Sequence, residues 1–230
     1  MIRGILVTSC AEELHLDQTV GLPEIAAIQR WANEAVLDFL GRTRVRVTLG
    51  DLVLTPGAGD YRLDVAILAL TEAFIPNTTD KLLVVGLDDI IELRRVNATL
   101  PQGFGTQRIG IEGSFAMVWP TPTTAGTIRY VFVPKPTAMS ADANDPAVDT
   151  YGGVPEEYHE GLLLYMNWKG SRYDGAQAPH SPKEYWDLYR ESCISARKAH
   201  RMKSGERGKL VRAKIGYPDS MSAPRRNDTA

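Results

Sequence analysis

Apolar residues recur at steps of three and four between Leu22 and Leu40, where Ile25, Ile28, Ala32, Ala35, Val36 and Phe39 form one stripe and predict a helix. Pro23 and Glu24 suit its first turn, where a missing N–H costs nothing and a carboxylate favours the dipole, and Gly41 marks its end. Residues 2–15 predict a shorter helix before it, weakened by β-branched Val7 and Thr8. Beyond Gly41 the period falls to two. Val45, Val47 and Leu49 alternate with Arg44, Arg46 and Thr48, and Gly50-Asp51 predicts a tight hairpin into Leu52-Val53-Leu54. After the break at Pro56-Gly57-Ala58-Gly59-Asp60, short extended pieces are expected at 61–63, 67–75 and 82–85, although 67–72 also fits a helical turn. Residues 87–96 fit either a helix or a strand.

The strongest β-signal runs from 108 to 133. Ile109 and Ile111 lead to Phe115, Met117 and Trp119; a turn spans Pro120 to Gly126; Ile128, Tyr130 and Phe132 then alternate with their neighbours, which predicts a meander. Pro134-Lys135-Pro136 stops the run, and residues 137–153 read as a long surface loop. Helices return at Pro155-Glu156-Glu157, continuing through Tyr158, Leu162, Tyr165 and Lys169. Ser181-Pro182-Lys183-Glu184 is a capping box that opens a longer helix, expected to run to about Ser204 with either Tyr185, Leu188, Ser192 and Ser195 or Trp186, Tyr189, Cys193 and Ala196 inward.

This order predicts an α+β fold. A helical bundle formed by N- and C-terminal helices (1–42 and 154–204) carries an inserted antiparallel β-domain (43–153), followed by an extended basic C-terminal arm (205–230). Neither pair of helices can cover its stripe alone, so the two ends of the chain are expected to pack on each other.

The chain has 230 residues and 43% hydrophobic side chains, enough for one large or two small domains, which excludes a disordered polymer. No repeat with a solenoid period occurs. Glu72, Asp80 and Asp88 interrupt the most apolar region, so no membrane span is expected, and the acidic residues after the first apolar run argue against a signal peptide. Cys10 and Cys193 lack any ligand spacing and imply a reducing compartment rather than a disulfide scaffold.

Net charge is only −2, but its distribution is uneven. Ten of the 26 basic residues and three of the 28 acidic ones lie at or after Arg197, leaving 16 basic and 25 acidic in residues 1–196. The body is therefore about −9 and the tail about +7. The tail holds too few large apolar residues, Leu210, Val211, Ile215 and Tyr217, to build a core. A solvated end, a docking arm for an acidic protein surface and a nucleic-acid contact all fit it.

Catalytic patterns are missing. His15, His159, His180 and His200 form no HExxH or zinc spacing, and His159 suits a helix-packing contact. Asp142-Ala-Asn-Asp145 starts like a calcium loop but has Ala147 and Gly153 where glycine and glutamate are required. Gly103-Phe-Gly105 lacks the third glycine of a phosphate cradle, and Ser114 lacks the second glycine of a nucleophile elbow. Asp88-Asp89 and Glu156-Glu157 suit helix starts, while Trp119, Tyr130 and Phe132 read as core. No cofactor is expected.

Several segments, taken in order, resemble head-to-tail adaptor (connector, or head completion) proteins of tailed bacteriophages. They are Ile28-Gln-Arg-Trp-Ala-Asn-Glu-Ala-Val36, Gly59-Asp-Tyr-Arg-Leu-Asp64, Phe115-Ala-Met-Val-Trp-Pro-Thr-Pro122, Arg129-Tyr-Val-Phe-Val-Pro-Lys-Pro136 and Val154-Pro-Glu-Glu-Tyr-His159, within residues 22–200. The resemblance implies a non-catalytic virion protein forming a homo-oligomeric ring, usually a dodecamer, between the portal protein and the tail proteins, with DNA passing through its channel. It also implies that the terminal segment grips the portal. Arg201, Lys203, Arg207, Lys209, Leu210, Val211, Arg212, Lys214, Ile215 and Tyr217 are the candidate contacts. The competing expectation is a DNA-binding or DNA-packaging accessory protein acting through the same basic segment.

Overall fold

The computed structural model describes residues 1–16, 25–76, 81–96, 107–172 and 178–212, with side chains through residue 200. The chain divides into two compact units, Met1–Arg197 and Lys198–Ala230. In the first unit, helices from both ends of the chain share one core. These are α1 (Arg3–Glu13), α2 (Ile25–Thr43), α4 (His159–Gly170) and the start of α5 (Pro182–Arg212). Between α2 and α4 lie five strands, β1 (Thr48–Leu54), β2 (Asp60–Phe74), β3 (Leu83–Val84), β4 (Arg108–Trp119) and β5 (Gly126–Pro134), together with α3 (Leu87–Val96). In the second unit, residues 198–212 are helical.

The helical stripe anticipated on α2 is buried, with Ile28, Ala32, Ala35, Val36 and Phe39 joined by Trp31 and Leu40. Pro23 and Glu24 lie outside the described residues. Gly41 does not end this helix. Leu40 and Thr43 continue the buried side, and the Thr43 hydroxyl donates to the Phe39 carbonyl at 2.7 Å, offsetting the cost of about 1 kcal/mol for an interior glycine. The helix stops at Arg44, whose φ of 54° is left-handed. At the start of α5 the capping box forms: the Ser181 N–H donates to Glu184 Oε2 at 2.7 Å, and the Glu184 N–H donates to Ser181 Oγ at 3.3 Å. The buried side of α5 is Tyr185, Tyr189, Cys193 and Ala196, which draws on both anticipated stripes, while Leu188 is exposed. The helix passes the expected stop near Ser204 and reaches Arg212, because glycines 205 and 208 sit among good helix formers.

The sheet departs from its expected topology. Its strand order is β1-β5-β2-β4-β3, and β3 runs parallel to β4, so the sheet is mixed rather than antiparallel. The anticipated meander of β4 and β5 does not form, because β2 lies between them and pairs with both. The 15-residue β2 absorbs the expected short pieces and the possible helical turn into one strand with register shifts, its inner face carrying Leu63, Ile67 and Ala73. Residues 87–96 are helical, with Asp88 and Asp89 in the first turn and Ile90 buried.

The hairpin expected at Gly50-Asp51 is absent. Both residues lie inside β1, Gly50 opposite Tyr130 and Asp51 opposite Arg129. Asp51 and Arg129 form a two-pronged ion pair at 2.7 and 2.9 Å, which supports a charged residue in mid-strand. Gly50 leaves room for the Tyr130 ring, since a Cβ there would stand 2.6 Å from the ring carbon bearing the hydroxyl. Tyr130 and Phe132 are buried in the sheet core with Leu52, Ile109, Ala116, Val118 and Ile128.

Residues 137–153 are not merely a surface loop. Met139 enters the helical core, its N–H donating to Asn33 Oδ1 at 2.7 Å, and Arg3 donates to the Met139 carbonyl at 2.8 Å. Asn144 Oδ1 accepts from the N–H groups of Ser140 and Ala141, so the polar residues that suggested a loop shape it as a packed strap.

The Gly50 contact supplies a test of the β1–β5 register. Replacing Gly50 by alanine is expected to cost about 1–3 kcal/mol in urea denaturation, against the usual preference for alanine, because the added methyl overpacks the Tyr130 ring. The cost should shrink in a Tyr130→Leu background.

Candidate functional site

The candidate portal contacts fall in the second unit. Arg201, Lys203, Arg207, Lys209, Leu210, Val211 and Arg212 belong to the helical stretch, with side chains beyond those described, and Lys214, Ile215 and Tyr217 lie outside the described residues. Within the first unit, His159 and the two cysteines serve packing. His159 is buried at the start of α4, with Nε2 2.9 Å from the Val154 carbonyl and Nδ1 2.8 Å from the Met1 amine. A carbonyl only accepts, so Nε2 carries the ring proton and Nδ1 accepts from the ammonium. Burial pushes the imidazole below its ordinary pKa. The Val154 bond opposes this, the Met1 ammonium reinforces it, and the Asp145 and Glu156 carboxylates pull weakly upward.

The two thiols are likewise interior groups. Burial pushes Cys10 up to about 12, with Glu13 adding to it, and burial also raises Cys193. Neither is the exposed, acidified thiol that nucleophilic chemistry needs. Among the described residues no three histidine, cysteine, aspartate or glutamate side chains gather as metal ligands. Gly103 and Gly105 lie outside the described residues.

Sequence inspection missed an arginine-lined cleft of about 320 Å³ between the end of α2 and the middle of α5. Arg42, Arg44, Arg190 and Arg197 surround it, with Gly41, Cys193 and Ile194 completing the wall. Arg42 is held in place: Asp38 accepts from its guanidinium, Tyr189 donates to Asp38 Oδ2 at 2.6 Å, and the guanidinium lies 5.0 Å from the centre of the Trp186 ring. The Asp38 bond raises the pKa of Arg42 further. Arg190 has Asp187 at 4.0 Å, whereas Arg44 and Arg197 have no carboxylate partner among the described residues. The two pairs of arginines are separated by some 150 residues of chain, which hides the cluster from a linear search. The local signal was Arg190 and Arg197 seven apart, on one side of a helix.

The histidine and thiols are thus core groups, while the cleft gathers four arginines, of which Arg42 lies over the Trp186 ring. The chain belongs to the SU10 adaptor protein family, whose model matches residues 4–209, and it is a head–tail adaptor protein of the bacteriophage type. A solved structure described as the neck of an empty GTA particle computed with C6 symmetry matches at 17% identity and a TM-score of 0.27, over 82% of this chain and 91% of that one. No curated protein matches the chain.

The buried neutral His159 predicts a pH dependence of stability. In the unfolded chain the ring titrates near about 6.5. Its folded pKa is depressed, so below that pH the unfolded state binds a proton that the folded state refuses. Stability should therefore fall as pH drops from 7 through about 6, levelling off below the folded pKa. Urea midpoints measured across this window should show the slope in the wild type and a flatter profile in His159→Gln.

Proposed function

We propose that the chain forms a homo-oligomeric ring, a dodecamer, between the portal protein and the tail of a tailed bacteriophage, closing the DNA-filled head and presenting the tail-attachment surface. The observation that carries this is the family match across residues 4–209, which spans both the helical core and the inserted sheet. The architecture proposed with it is a bundle of the terminal helices bearing the sheet, continued by a basic arm. In this reading the arm grips the portal through Arg201, Lys203, Arg207, Lys209, Leu210, Val211, Arg212, Lys214, Ile215 and Tyr217. The protein then resides in the virion, at the head–tail junction.

Charge supports the assignment. A body of about −9 repels a passing duplex and discourages sticking, while a tail of about +7 has the sign needed to dock on acidic protein. Neighbours around a closed axis meet through unlike surfaces, so one chain can carry both members of a complementary pair. The same ten basic residues favour a second reading, duplex DNA binding by the tail.

The experiment is assembly. Purified chain, alone or mixed with its portal protein, is expected to give rings by electron microscopy and a multi-subunit mass by light scattering. Deletion of 205–230 should abolish portal association while leaving the body folded. A chain that stays monomeric under both conditions would falsify the ring. Duplex binding with a steep salt dependence, lost on that deletion, would select the second reading.

A further inference from the structure

We infer that the arginine cleft of the first unit is the socket by which one copy of this chain holds the next, receiving the acidic turn Glu156–Glu160 of the neighbouring copy. The inference deepens the ring reading and rests on it. The cleft is a built feature. Tyr189 and Asp38 hold Arg42, the Trp186 ring lies beneath its guanidinium, and Gly41 adds no side chain to the mouth. Arg44 adds a local cost, because a non-glycine residue at φ 54° occupies a conformation disfavoured by about 1 kcal/mol. That position normally takes glycine or asparagine at a helix end, so a functional cation there has a physical reason to be looked for.

Arg42 and Arg190 have carboxylate partners, but Arg44 and Arg197 have none among the described residues, and such guanidinium groups favour oxyanions, which they bind in forked pairs. Carboxylate fits this cleft better than a phosphate backbone. The cleft is compact rather than a stripe that could follow a strand. Exposed Ile194 and the wall of Cys193 give it an apolar side suited to a peptide, and the surrounding body carries about −9, which disfavours a duplex. The chain supplies a matching knob. Glu156, just before α4, and Glu160, in its first turn, are exposed, and the Met1 amine on His159 has Asp145 at 3.8 Å.

Socket and knob lie at one end of the same helical core. The Tyr158 and Phe39 rings are 5.9 Å apart, and a Cβ on Gly161 would meet Ser192 Oγ at 2.6 Å and Phe39 at 3.2 Å. The first turn of α4 is thus level with the last turns of α2 and with residues 190–197 of α5. Socket and knob are different surfaces, so pairing the socket of one copy with the knob of the next is a heterologous contact, the kind that repeats from copy to copy around a ring.

The test uses the full chain under the condition, alone or with portal, in which the wild type forms rings. Arg44→Glu/Arg197→Glu is expected to weaken ring formation by roughly 30-fold or more, with the circular dichroism spectrum unchanged. Adding Glu156→Arg/Glu160→Arg to the same chain should restore the rings. If the glutamate variant fails to fold, Arg44→Gln/Arg197→Gln replaces it with the same expected loss. Unchanged assembly overturns the socket while the ring reading stands, as does a loss that the reversed charges do not rescue. Loss of duplex DNA binding in place of ring formation reassigns the cleft to phosphate. A wild type that makes no rings with its portal sinks the ring reading itself.

Discussion

The apolar stripe of α2 is the constraint on which the rest of the molecule depends. Eight of its residues are buried, and the surfaces that bury them come from α1 before it and from α4 and α5, more than a hundred residues later. A side chain such as Phe39, wholly buried, contributes about 2–3 kcal/mol, and truncating such a residue to alanine costs more because a cavity remains. The stripe can reach that burial only if the chain returns after completing the sheet. The sheet is therefore held at both of its ends by the helical core, and β5 contributes Val133 directly to it.

That return also explains the polar interior. Where α2 meets α5, Tyr189 and Arg42 converge on Asp38; where α1 and α2 meet the strap, Arg3 and Asn33 bond the Met139 backbone; where the strap enters α4, His159 bonds Val154. The first two junctions join segments more than a hundred residues apart in sequence. Buried or half-buried polar groups are costly unless paired, so these contacts specify which segments may meet as well as adding stability. The pH dependence of His159 follows from the same economy of pairing.

What could be read in the chain was what depends on local spacing. The α2 stripe, the capping box at Ser181 and the acidic start of α3 act within one or two turns, and residue identity alone reveals them. Gly50-Asp51 misled because its role is settled across the sheet: the glycine accommodates Tyr130 and the aspartate pairs with Arg129, neither of which is visible from a dipeptide that elsewhere turns the chain. The strand order misled for the same reason, since alternation in β4 and β5 records which faces are buried and carries no information about β2 lying between them. Strap residues 137–153 looked solvated because their polarity serves the strap's own turns. The arginine cleft was invisible because it is a product of the return itself.

Family and charge bear on the candidate surfaces differently. The match over residues 4–209 identifies an adaptor and includes most of the basic helical end, yet it does not say which cations touch which partner. The chain's electrostatics narrow the choice. Cations from residue 197 onward outnumber acidic residues there ten to three, whereas those of the cleft face a body with nine more acidic than basic groups. Field from that body falls off over roughly 8–10 Å at physiological salt, so the cleft, whose arginines belong to the first unit, acts within it. In the proposed ring, an external partner of high negative charge suits the terminal segment, and a short carboxylate-bearing turn from the acidic body of an adjacent copy suits the cleft.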